Sequence, residues 1–169
     1  MIRLIALLLL FFVNLSMTAQ SFDKRYTSHL SNNGIISFFR PKQLSVKTNL
    51  DKFEYDMTYL SGQDSITINC SLYVKNEALV KELNIKSGER ELKGENVAVI
   101  YRDLTTKGYV LRVTSRFPFS DIKTCFENST PFEFYAVMTD GSQCTATYRA
   151  SKWEKEQQMI TRIFKTINY

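Results

Sequence analysis

The chain carries one histidine, three cysteines, one tryptophan, three prolines and six glycines among its 169 residues. Each scarcity removes a class of chemistry. A multi-histidine metal site is out of reach, and any imidazole-dependent dyad or triad would have to be built on His29 alone. That residue sits in a polar stretch, where a solvated surface histidine is the reading its neighbours favour. The glycines form no phosphate-binding loop, and no HExxH, GxSxG or EF-hand pattern occurs. The cysteines, Cys70, Cys125 and Cys144, show neither a CxxC pair nor metal-ligand spacing. No catalytic residue, metal or cofactor is therefore assigned. Carboxylates are plentiful, but Glu54 and Asp56 alternate on one strand face, which is the spacing of a solvated sheet surface.

Long apolar runs are also scarce. The one that stands out is Leu4 to Val13, preceded by Met1-Ile2-Arg3 and followed by Asn14, Ser16, Thr18 and Ala19. It is shorter than the roughly 20 residues a spanning helix needs. A positive start, a short apolar core and a small-residue end have the layout of a secretory signal peptide over residues 1–19, cut after Ala19. The mature protein is then expected in the periplasm or outside the cell, with no stable membrane span. The formal charge of +5 falls to +4 without Arg3. This excess is spread along the sequence, so nucleic acid is not an expected partner.

What is present is strand alternation. Residues 20–33 are polar and without period, and read as a loosely ordered segment. The domain proper is expected over residues 34–169. After the turn at Asn33-Gly34, Ile35 to Phe39 makes a first strand that Arg40-Pro41 ends, since proline cannot donate to a ladder. Phe53, Tyr55, Met57 and Tyr59 alternate with polar residues, as do Ile66, Ile68, Cys70, Leu72 and Val74. A two-residue loop at Gly62-Gln63 sets Phe53 opposite Leu72, Tyr55 opposite Cys70 and Met57 opposite Ile68, with all apolar residues on one face. A strand near residues 80–86 follows, then a charged loop or poor strand over 88–96. Val97 to Tyr101 and Tyr109 to Val113 form a further hairpin. Ser120 is expected to cap a short helix through Glu127, with Ile122, Cys125 and Phe126 inward.

The last hairpin is decided by register. A three-residue loop, Thr139-Asp140-Gly141, with glycine left-handed, sets Ala136 against Cys144 and Phe134 against Ala146. A two-residue loop at Asp140-Gly141 would mix the faces. Ser151-Lys152-Trp153-Glu154 then reads as a capping box for a helix over 152–167, with Trp153, Met159, Ile160, Ile163, Phe164 and Ile167 on one stripe.

Cys125 and Cys144 both point inward and lie close in sequence, so they are the leading disulfide candidates. Cys70–Cys144 and Cys70–Cys125 remain alternatives. The expected fold is mainly β, a β-rich α+β domain. It is an antiparallel sandwich or partly open barrel of about seven or eight strands, with one short helix and a C-terminal amphipathic helix on the sheet. Such a chain suits a non-enzymatic exported binding or interaction protein, whose partner is a protein, a glycan or a small apolar ligand. The expected binding face is the outer one, around Glu133, Tyr135 and Thr145, with Tyr73 as a further exposed ring. Two alternatives are a carrier holding a small apolar ligand between sheet and helix, and a hydrolase using paired carboxylates.

Overall fold

Alternation governs the strands Leu50–Leu60, Gly108–Pro118, Glu133–Met138 and Gln143–Thr147. The fold is described from a computed structural model covering residues 24–48 and 50–167. The signal-peptide assignment, residues 1–19, lies outside the described residues. Among the described residues, ten strands and two helices follow in order: β1 Tyr26–Ser31, β2 Gly34–Val46, β3 Leu50–Leu60, β4 Ser65–Val74, β5 Val80–Ser87, β6 Arg90–Lys93, β7 Glu95–Thr105, β8 Gly108–Pro118, α1 Phe119–Glu127, β9 Glu133–Met138, β10 Gln143–Thr147 and α2 Ala150–Ile167. Nine strands make one antiparallel path, β6-β5-β9-β10-β2-β3-β4-β8-β7, with β1 added to β2. The sheet is mainly β in the way expected, though with more strands than the seven or eight read from the sequence.

The two end strands of that path, β6 and β7, are consecutive in the chain and are joined through Gly94 alone. The sheet therefore curls back toward itself without closing. Gly94 donates its N–H to the Leu83 carbonyl at 3.0 Å. A Cβ there would collide with that carbonyl oxygen and the Ser115 hydroxyl, and would come within 2.9 Å of the Phe117 ring. Two of those three are groups that cannot swing away, one being backbone and one a buried ring. Gly94→Ala is therefore expected to lower unfolding stability by about 1–3 kcal/mol, the usual range for overpacking. Urea denaturation checks it, and a variant as stable as the parent would contradict the packing at this corner.

The β3–β4 register is as expected: Phe53 faces Leu72, Tyr55 faces Cys70 and Met57 faces Ile68. Its turn is not. Gln63 N–H closes on the Leu60 carbonyl and Gly62 has φ +80°, so the turn centres on Ser61-Gly62 rather than Gly62-Gln63. Asp64 is then free to offer its carbonyl to the Phe119 N–H at 2.7 Å, which ties the loop to α1. The last hairpin follows the three-residue loop throughout. Met138 N–H meets the Ser142 carbonyl, Gly141 has φ +82°, and Cys144 faces Ala136.

Several expectations need correction. Part of the segment 20–33 is strand: β1 pairs with β2 from Tyr26↔Phe39 to Ser31↔Gly34, a ladder that polar residues can make because its bonds are backbone bonds. Arg40-Pro41 does not end β2. The chain absorbs the proline in a bulge between Phe39 and Lys42 and continues to Val46. Of the two readings of residues 88–96, the strand holds and the loop does not, since β6 and the start of β7 occupy most of them. Ser120 does not cap α1; the helix starts at Phe119 and Pro118 stands at its N-cap without a side-chain bond. Likewise α2 starts at Ala150, which puts Ser151 inside the helix, while Glu154 accepts from Gln158.

The disulfide expectation fails as well: Cys70, Cys125 and Cys144 are all free thiols and all buried. Cys125 lies beside Ser87 at one end of the β5–β9 ladder, where Lys86 faces Glu133. Cys144 faces Ala136, about four strand residues further on, or roughly 13 Å at 3.3 Å per residue. A disulfide tolerates Cα separations only to about 7 Å. Inward orientation was common to both cysteines, but their levels along the sheet differ. Burial pushes all three thiols upward in pKa, Cys70 well above its ordinary value, which is the condition of inert core cysteines.

Both helices pack on the concave side of the sheet. Phe134 on β9 lies 5.2 Å from the Phe53 ring and 5.0 Å from Tyr55 on β3, joining the two halves of the curled sheet. Phe164 on α2 meets Phe39, Phe119 and Phe126 at 5.5, 5.2 and 5.6 Å. The Trp153 indole N–H donates to the Asn128 carbonyl at the end of α1, and Gln157 donates to the same oxygen. Among the described residues, every buried side-chain nitrogen and oxygen has a partner.

Candidate functional site

Glu133, Tyr135 and Thr145 do share the outer face of β9 and β10, with Tyr135 directly opposite Thr145. Glu133 is tied to Lys47, and the Thr145 backbone is held by Lys47 and Thr48. Tyr73 does not join them. It stands on β4, three strands from β10, with the Lys52 ammonium 5.1 Å from its ring centre. Glu54 and Asp56 lie on the outer face of β3. Glu54 pairs with Lys52, and Asp56 is held by Arg112 and by Asn69 at 2.8 Å.

A different group of residues forms the most concentrated polar arrangement, and it begins with the bulge in β2. Residues opposite each other in an antiparallel pair share a face. Phe39 faces Met57 and Lys42 faces Tyr55, so both point inward although two residues, Arg40 and Pro41, separate them. The extra residue at Arg40-Pro41 has reversed the alternation. Lys42 thereby reaches the inner side, where its ammonium meets Glu156 of α2 at 2.6 Å. Arg25, whose carbonyl accepts from the Arg40 N–H, adds a second cation to the same carboxylate oxygen at 3.2 Å. Glu156 is only 5% exposed. A carboxylate buried to that degree is retained only with partners of this kind.

Next to this ion cluster the Tyr55 and Tyr148 hydroxyls are hydrogen-bonded to each other in the core. Burial drives both phenols well above their ordinary pKa, and the neighbouring Glu156 charge pushes them the same way. They are neutral dipoles in the acid and neutral range, and stay so far into the alkaline range.

A cleft of about 230 Å³ opens above the cluster, lined by Lys42, Gln43, Leu44 and Ser45 of β2 and by Tyr148, Arg149 and Lys152 at the β10–α2 joint. Its origin is topological. β2 pairs with β1 as far as Phe39 and with β10 only from Ser45 onward. Between those points no described strand pairs with that edge, because β10 ends at Thr147 and the chain turns away into α2. Arg149 is steadied by a bond from its Nε to the Ser45 hydroxyl at 3.1 Å, which leaves the rest of the guanidinium fork toward solvent. Among the described residues, three cations and no carboxylate line this cleft. The charge that looked dispersed along the sequence is partly gathered here by the fold.

A wider, open cleft of about 560 Å³ lies between the β3–β4 turn and α1. Its floor is the Tyr59–Phe119 stack, with centroids 4.2 Å apart and both rings almost fully buried. Those ring faces are spent on each other, and its charged side chains, Asp64 and Lys123, are of opposite sign. It offers bulk without convergence.

Sequence reasoning missed Arg25, Lys42, Tyr148, Arg149 and Glu156 as a group. Glu156 left a signal: it falls three residues after Trp153 and four before Ile160, inside the apolar stripe of α2. A charged residue on the buried face of a helix calls for a partner. Lys42 left none, because its inward turn depends on a bulge. Among the described residues no helix is long and apolar enough to cross a membrane. No protein-family model, no curated protein and no solved structure matches the chain.

Proposed function

We propose that this protein is an exported, non-enzymatic binding domain, acting in the periplasm or outside the cell, and that it engages its ligand at the surface. The observation that carries the reading is the β2–α2 cleft. Its cations converge on one small space, two of them on surface side chains, and the buried carboxylate beneath them is already neutralised by Arg25 and Lys42. Such a site attracts and holds charge, and lacks a matched acid and base. The carrier alternative is weakened by Phe53, Phe126, Phe132, Phe134 and Phe164, each at most 1% exposed, which fill the space between sheet and helices. The hydrolase alternative is weakened by the engagement of Glu54 and Asp56 in ion pairs on the outer face.

The test has two readouts. Thermal-shift measurements against a panel of small anions and glycans should give a ligand that raises the melting temperature and that mass spectrometry recovers unchanged. Conversion of that ligand to a product would overturn the reading. N-terminal sequencing of protein from the expressing cell should give Gln20 as the first residue, and a stable cytosolic form retaining Met1 would remove the export part.

A further inference from the structure

We propose that the β2–α2 cleft is a subsite for a phosphate-type oxyanion, either free or carried as the head group of a larger ligand. The proposal rests on the binding-domain reading above and names the ligand chemistry of that site. Three features support it together. Lys42, Arg149 and Lys152 approach the cleft, and among the described residues no carboxylate lines it. Arg149 is oriented by Ser45, so its planar fork is held before any ligand arrives. On the side away from β3, the stretch of β2 between Phe39 and Ser45 pairs with no described strand, the Arg40 N–H being taken by the Arg25 carbonyl. Glu156 acts here as a positioning residue: it holds the Lys42 ammonium at the cleft wall from below.

Size fits the same chemistry. A space of 230 Å³ equals about seven or eight waters at roughly 30 Å³ each. A phosphate group and a few further heavy atoms fill it, and a large apolar ligand does not. Arg149 and Lys152 bring two charges that the Glu156 ion pairs do not use, which matches a doubly charged oxyanion better than a single carboxylate.

The experiment is calorimetric titration of the mature protein with inorganic phosphate at low ionic strength, beside co-sedimentation with phosphatidylglycerol–phosphatidylcholine vesicles and with phosphatidylcholine vesicles alone. Arg149 and Lys152 are exposed, so Arg149→Met and Lys152→Met should fold as the parent does, which circular dichroism verifies. Each is expected to weaken binding about tenfold or more, the loss of one charge-assisted contact. Added sodium chloride should weaken binding further. Lys155→Met, an exposed change on the same helix outside the cleft, should leave it unaltered. Saturable phosphate binding with this pattern supports a free or soluble phosphate ligand. Vesicle binding that requires phosphatidylglycerol, is lost in the same variants and is displaced by phosphate supports a lipid head group. No binding in either arm, or binding indifferent to Arg149 and Lys152, overturns the subsite. The two readings fail separately: release of nitrophenol from para-nitrophenyl phosphate would overturn the non-enzymatic reading and leave the subsite standing.

Discussion

Phe164→Ala should cost about 3–5 kcal/mol of unfolding stability, the range for emptying a fully buried phenylalanine site. That is a large share of the roughly 5–15 kcal/mol available to a domain of this kind. Phe164 has no exposed surface, and its ring meets Phe39 of β2, Phe119 and Phe126 of α1 at 5.2 to 5.6 Å. It therefore joins the sheet to both helices, and no single neighbour can relax into the space without leaving another contact. The chain's single tryptophan provides a local report. Trp153 is 3% exposed and hydrogen-bonded to α1, so its emission should be blue-shifted while α2 is docked. In the variant, urea unfolding followed by far-ultraviolet dichroism should shift to lower midpoint with Trp153 emission moving in step. Met159→Ala on the half-buried flank of the same helix should cost much less. If Phe164→Ala cost under about 1 kcal/mol, α2 would not belong to the cooperative core, since such a loss is typical of surface positions.

The same contrast marks what the sequence makes legible. Phe53, Tyr55 and Met57 against Leu72, Cys70 and Ile68 could be placed because a one-residue slip would expose every apolar side chain. The Met138–Ser142 closure could be placed because only one loop length kept Phe134 and Ala136 on a common face with Ala146 and Cys144. The stripe of α2 was legible for the same reason, as periodicity is a property of the chain itself. Events that break a period were not. The bulge at Arg40-Pro41 reverses alternation in β2, and nothing upstream of the fold says that the strand survives the proline. β1 has no apolar period to read, and its existence rests on backbone pairing with β2. The cysteines illustrate a third limit. Facing inward is a one-dimensional property, whereas bridging requires the same level on the sheet, and Cys125 and Cys144 differ there. The basic cleft combines all three limits, since it needs the bulge, the early end of β10 and a buried glutamate from α2.

That buried chemistry governs the second large effect, a steep loss of stability in alkali. In the unfolded chain Tyr55 and Tyr148 ionise near pH 10, whereas in the folded protein burial holds both phenols protonated well beyond that. The folded state thus binds more protons than the unfolded state above pH 10. The stability these groups support is fully present below that pH and is lost as pH rises through it. Each contributes a slope of about 1.36 kcal/mol per pH unit, so the pair should cost roughly 2.7 kcal/mol per unit above pH 10. The three buried thiols, all raised above an ordinary value of 9.0, start the decline slightly earlier. Urea midpoints measured from pH 8 to 11.5 should be level at first and then fall steeply, with the tyrosinate absorbance of Tyr55 and Tyr148, the component missing from the double Phe variant, appearing only as the protein unfolds. Tyr148→Phe alone leaves the Tyr55 hydroxyl buried without its partner and should cost about 1–3 kcal/mol at neutral pH. The double change Tyr55→Phe with Tyr148→Phe removes both hydroxyls at nearly constant shape, so it should be close to neutral at pH 7 and should remove the pair's share of the slope above pH 10, leaving the decline that the thiols cause. An unchanged slope in the double variant would place the alkaline sensitivity elsewhere. A near-neutral double variant that still binds phosphate would separate the two layers of this region, with the tyrosine pair belonging to the core and Arg149, Lys152 and Lys42 belonging to the cleft above it.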